Sequence, residues 1–222
     1  MRSELFAQDH FERPSQERWT RQSDRMLRVG LGPDVVATKG AMVAYQGGMA
    51  FRHEGSGSVG KLMKKMLTSE DAPMMRVSGE GEVFFARQAR HVFTVLLEGE
   101  AITVGSASLL AFDDTLSWDI RRVGGAGLMA GGLFNLELSG HGVLALCSDG
   151  PPMILDCSVR PTYVDPQAAV AWSANLVPGI RNDLSMGSLL RGGSGEAFQL
   201  AFSGPGFVVV QPSEGVPAVR QG

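Results

Sequence analysis

At 222 residues, with 44% hydrophobic and 19% charged side chains, the chain can bury a sizeable core and is too apolar to be disordered. Its net charge of −3 argues against a general polyanion binder, because non-specific nucleic-acid affinity comes from Lys and Arg neutralising phosphates. No run approaches the ~18 apolar residues of a membrane span, and 29 glycines without a collagen-like period fit a fold with many tight turns.

Residues 1–25 read as an N-terminal arm. They are polar and charged (Arg13, Glu17, Arg18, Arg21, Asp24, Arg25), with no apolar stretch of a secretory signal. Leu5, Phe6 and Phe11 are the groups able to pin the arm to the body.

From Met26 to Pro212 one pattern recurs. Apolar alternation leads into Ser78-Gly79-Glu80-Gly81, then Ser139-Gly140-His141-Gly142, then Ser203-Gly204-Pro205-Gly206, at spacings of 61 and 64 residues. Each motif is followed by a β-prone run: Val83-Phe84-Phe85, Val143-Leu144-Ala145-Leu146 and Phe207-Val208-Val209-Val210. Strand, glycine turn, strand is the signature of a β-hairpin, with Gly supplying positive φ.

Upstream of each motif a strand runs to a large aromatic nine residues on: Met42 to Phe51, Leu109 to Trp118, Tyr163 to Trp172. Turn glycines precede these strands, at Gly32, Gly99 and, more loosely, Gly150. The alignment makes Phe51, Trp118 and Trp172 one layer of a core.

Connectors of unequal length separate aromatic strand from motif: His53 to Pro73, Gly124 to Gly132, and Ser173 to Glu196. In the first, Leu62, Met63, Met66 and Leu67 share one helical face, with Lys61, Lys64 and Lys65 opposite. A short amphipathic helix is expected there and another around Leu184–Leu190. Insertions at a fixed point of a repeat map to loops on one face.

The chain therefore reads as all-β, with three tandem repeats (about 26–90, 91–148 and 149–212) and a tail at 213–222. A lone unit of short strands cannot cover its apolar face, so the three are expected to close one pseudo-threefold body.

The stretches Met42-Val43-Ala44-Tyr45, Trp118-Asp119-Ile120-Arg121-Arg122-Val123, Val164-Asp165-Pro166-Gln167 and Gly204-Pro205-Gly206-Phe207-Val208-Val209-Val210-Gln211-Pro212 resemble a bacterial and mitochondrial family. It is the altered-inheritance-of-mitochondria protein 24 family, and the likeness runs from about Met26 to Pro212. The resemblance implies repeated units similar to the tryptophan-dependent RNA-binding attenuator protein, in a β-sandwich or double-stranded β-helix type of body. It carries over no catalytic residues. Eukaryotic members are associated with mitochondrial inner-membrane organisation; this chain lacks an Arg- and Ser-rich amphipathic presequence, so that location is not transferred.

Tempting chemistry recedes on inspection. Gly55-Ser56-Gly57-Ser58-Val59-Gly60-Lys61 imitates a P-loop, but Leu62 stands where Ser or Thr must bind Mg²⁺, and an all-β repeat denies the βαβ context. His10, His53, His91 and His141 make no metal spacing, and His141 holds the variable turn position of Glu80 and Pro205. Asp113-Asp114 align with Gln46-Gly47 and Gln167-Ala168, a polar pair at a turn or bulge. Asp165-Pro166 punctuates a strand edge. Cys147 and Cys157 are expected to be reduced core residues.

No catalytic, cofactor-binding or metal residue is assigned. The expected function is that of a non-enzymatic β scaffold or binding protein, cytoplasmic and self-associating, with the 53–73 connector as a protein-docking element. A membrane-surface contact by Lys61–Leu67 has no other support. The alternatives are a nucleic-acid or small-molecule binding module, by resemblance to the attenuator fold, and a nucleotide-binding enzyme using Gly55–Lys61.

Overall fold

Runs of β-branched and aromatic residues at a period of two form strands through most of residues 2–54, 74–122, 134–181 and 199–214, which this computed structural model describes. Among them helix is confined to three-residue 3-10 turns, as at Glu4–Phe6 and Ser106–Ser108.

The first stretch holds β1 (Trp19–Ser23), β2 (Met26–Leu31), β3 (Val35–Thr38), β4 (Met42–His53) and β5 (Met74–Phe85). The second holds β6 (His91–Gly105), β7 (Leu109–Asp113), β8 (Ser117–Arg122) and β9 (Phe134–Ser148). The third holds β10 (Met153–Asp156), β11 (Thr162–Val164), β12 (Ala169–Ser173), β13 (Gly179–Arg181), β14 (Gln199–Phe202) and β15 (Phe207–Val210).

All described pairings are antiparallel. In the first stretch β5 is central, with β2 and β3 on one side and β4 on the other. In the second β9 lies between β6 and the β7–β8 pair. In the third β15 lies between β10 and β12, and β14 between β11 and β13. Two further pairings join the stretches: β3 with β7, and β6 with β12. A 12-stranded sheet results, with β11, β14 and β13 as a separate three-stranded one.

Burial follows this arrangement. Val29, Val35, Val77 and Phe85 centre one apolar cluster, Leu109, Phe112, Leu138 and Leu144 a second, and Trp172, Leu200, Phe202 and Val208 a third. The first cluster also takes in Leu110, Ala111, Ala145 and Cys147 of the second stretch, so the packing crosses the joint between β3 and β7.

The Ser-Gly-x-Gly motifs are not hairpin turns. β5 and β9 run straight through theirs, Gly79 and Gly81 pairing with Met49 and Gly47, and Ser139 and Gly142 with Ser117 and Leu97. Only the third motif separates two strands, β14 and β15. Glycine is needed in the first because two backbones come too close for a side chain. A Cβ on Gly81 would lie 2.0 Å from the Gln46 carbonyl oxygen, and one on Gly79 would lie 2.2 Å from that of Gly48. Both residues also have positive φ. A turn and a close strand approach make the same demand on glycine, so the sequence alone favoured the commoner device.

Two other expectations change. β1, ahead of Met26, is part of the sheet: it pairs with β2, and Trp19 packs on the first cluster. Leu5, Phe6 and Phe11 are exposed and outside the apolar clusters. The aromatic alignment shifts by one strand in the third stretch. Phe51 and Trp118 pair with Val77 and Leu138, each directly before the serine of its motif. Trp172 instead pairs with Val208, five beyond that serine, as Tyr45 pairs with Val83 and Phe112 with Leu144. The residues after Trp172, Ser173-Ala174, are thereby the counterparts of Asp113-Asp114.

Candidate interaction surface

Side chains with chemistry to offer are committed to holding strands together. Asp113 accepts hydrogen bonds from the Val143 amide at 2.8 Å and the Trp19 indole at 3.1 Å, and pairs with Arg18 at 3.1 Å. Asp114 pairs with Arg76, which also holds Glu54 through two nitrogens and reaches Asp34. The Arg76 guanidinium holds the Glu54 carboxyl below its ordinary value. The pair expected at a turn or bulge thus stands at the turn that ends β7, in two networks tying β1, β5, β7 and β9 together.

A second polar junction lies where the stretches meet. Arg87 donates to the Thr38 hydroxyl and the Ala107 carbonyl; Arg90 donates to Ala107 and to Gln211, and pairs with Asp149 at 2.6 Å. Gln211 in turn receives the Asp149 amide and donates to the Gln167 carbonyl. Beneath this junction the buried Cys147 thiol is pushed up in pKa by desolvation.

The remaining candidates are placed as follows. Cys147 and Cys157 are free and buried. His141 is exposed at its motif, like Glu80 and Pro205. Asp165 accepts from the Gln167 amide at 2.7 Å, closing an Asx turn ahead of β12. The phosphate-loop lookalike Gly55–Lys61, most of the 53–73 connector and both expected helices (61–67 and 184–190) lie outside the described residues. Among the described residues no three His, Cys, Asp or Glu side chains gather as a metal site, and no helix is long and apolar enough to cross a membrane.

What the surface offers instead is apolar sheet edge. Among the described residues β4 pairs only with β5, and Val43, Tyr45 and Phe51 on it are exposed. Tyr45 and Phe51 stack edge-to-face at 5.2 Å, and Gln46 reaches Glu12 of the arm at 3.4 Å. β10, at one end of the 12-stranded order, pairs only with β15, and β11, in the separate three-stranded sheet, only with β14. Met153, Ile154, Val159 and Tyr163 are exposed there. A shallow hollow of about 440 Å³, lined by Ile154, Val159 and Thr162 among others, opens beside that edge.

With this architecture in view, the sequence matches the family described as Mitochondrial biogenesis AIM24 over residues 18–213, most of the chain. The chain belongs to that family. The match begins one residue ahead of β1, in keeping with that strand's place in the sheet. A Streptococcus pyogenes protein solved by X-ray crystallography has a similar structure, with a TM-score of 0.67 at 20% identity, covering 88% of this chain and 92% of that one. At that identity the likeness concerns the fold alone. No curated protein matches.

For this AIM24-family chain, sequence reasoning overlooked the exposed apolar edges at β4, β10 and β11. Met42-Val43-Ala44-Tyr45-Gln46-Gly47-Gly48 carries no charge, whereas strands at sheet edges ordinarily carry one, so the segment reads as an interior strand.

Proposed function

We propose that this chain is a non-enzymatic β scaffold that acts by offering sheet edges to protein partners, copies of itself included. The observation that carries this reading is the exposure of Val43, Tyr45 and Phe51 on the open edge of β4, of Ile154 on that of β10 and of Tyr163 on that of β11. Unpaired amides and carbonyls beside apolar side chains are what an added strand binds.

Three units on one plan make up the scaffold, and the strand registers support that reading. Each has a central strand flanked on both sides: β5, β9, and β14 with β15. The unequal connectors leave from matching points, next to the pairs His53 with Met75, Arg122 with Phe134, and Arg181 with Gln199. A pseudo-threefold relation among the units is part of this reading, and the connector after His53 is the first candidate for contact with a different protein. Two free, buried cysteines fit a cytoplasmic setting.

Light scattering on a gel-filtration column tests the self-association. A mass well above the 23.6 kDa of one chain at tens of micromolar is expected. A strict monomer over that range overturns it.

A further inference from the structure

Two of the exposed edges, those of β4 and β11, are the two halves of a joint that the chain makes twice within itself. In the first joint β3 pairs with β7, Val36 facing Phe112, Ala37 facing Ala111 and Val35 facing Asp113. In the second β6 pairs with β12, Thr103 facing Trp172, Val104 facing Ala171 and Ile102 facing Ser173.

These joints share one register. Val36 and Thr103 face Arg76 and Glu137, each two residues before the serine of its motif. Phe112 and Trp172 face Leu144 and Val208, each five residues after it. A third strand of each kind exists. Tyr163 of β11 faces Ala201, again two before the serine; Tyr45 of β4 faces Val83, again five after it. All three strands of the β4 kind also break register at one matching place, between Met42 and Ala44, Leu109 and Ala111, and Ala169 and Ala171.

Burial marks which partner is missing. Val36, Thr103, Phe112 and Trp172 are 1%, 5%, 0% and 3% exposed, whereas Tyr45 and Tyr163 are 49% and 43% exposed. Arg181 covers one side of the Tyr163 ring, at 4.5 Å. Among the described strands β4 and β11 do not pair with each other, and neither Met42–Gly48 nor Thr162–Val164 carries a charge to repel an incoming strand.

We propose that β4 of one copy pairs antiparallel with β11 of a second copy, repeating the internal joint: Tyr45 faces Tyr163, Ala44 faces Val164 and Gln46 faces Thr162. This deepens the self-association reading and rests on it. Because the contact joins two different surfaces, it is head-to-tail, and it builds a closed ring or a filament according to the rotation at each joint.

Two sets of variants test it. Tyr45→Lys and Tyr163→Lys each block one half of the joint at an exposed position. Each alone should elute as a monomer, while their equimolar mixture should give a dimer, because each retains the half that the other lacks. If Tyr163→Lys dimerises alone, β4 pairs with itself and the head-to-tail joint is wrong. If the unmutated protein assembles and neither variant lowers its mass, self-association stands and this joint fails. An unmutated monomer sinks both.

The double variant Q46C/T162C reads the register without depending on the lysines. Facing residues of an antiparallel pair are close enough for a disulfide. Oxidation should give cross-linked multimers on a non-reducing gel. A bond formed only within one chain would mean that the joint closes inside the protomer, and would overturn the proposal.

Discussion

Arg76 shows how single residues are spent in this protein. It joins Glu54, Asp34 and Asp114, side chains contributed by three separate parts of the chain. Replacing it by Met leaves three half-buried carboxylates without their cation, and should lower stability in urea at pH 7 by about 1–2 kcal/mol. The pH dependence has a definite sign. The carboxyl of Glu54 is held below its ordinary 4.5, so its contribution is present above that value and is lost as pH falls through the depressed one. The gap between the unmutated protein and Arg76→Met should therefore narrow in acid, as urea midpoints taken from pH 7 down to pH 3 will show. Cys147 and Cys157 give a second measurement at this scale. Both are buried, and desolvation raises the Cys147 thiol. Neither should react with a thiol reagent within minutes in the native protein, and both should react once it is denatured. The role of such residues was only partly legible in the sequence. Asp113-Asp114 could be placed at a turn or bulge by comparing the recurring segments, but their cations, Arg18 and Arg76, lie far away along the chain.

At the scale of elements the glycines decide the geometry. β4 and β5 lie so close that Gly81 and Gly79 would each drive a Cβ into a carbonyl oxygen. Gly48, in the same strand pair, has nothing within 4 Å of such an atom. Gly81→Ala should destabilise by about 3 kcal/mol or more, through a backbone clash and strained positive φ together. Gly48→Ala should lie within about 1 kcal/mol of the parent. A pair of urea melts separates the two, and equal losses would remove the close-approach account of the motif. The sequence marked these glycines as special through their recurrence. It could not say that the strand continues through them, because local φ is similar in a tight turn and in a close strand crossing.

Across the whole molecule the sheet is continuous from β1 to β10, and the first apolar cluster draws on two stretches of the chain. Units connected in that way should unfold together. Tryptophan fluorescence reports on Trp19, Trp118 and Trp172, which sit in three different clusters. Its urea transition should coincide with that of far-ultraviolet circular dichroism. Separated midpoints would mean that the stretches are independent. The open edges of β4 and β11 also belong to this scale, because an edge is defined by what the rest of the chain leaves uncovered.

By itself the sequence determined the β class, the recurring motif, the burial of both cysteines and the family, since each depends on local pattern or on residue identity at fixed spacing. Tertiary structure decided the rest. It ran two of the three motifs straight through as strands, drew β1 into the sheet and made Trp172 the counterpart of Tyr45 in place of Phe51. It also left β4 and β11 each paired on one side only. Those outcomes turn on which distant strands come together, and an alternating apolar run reads alike whether its outer edge meets another strand or water.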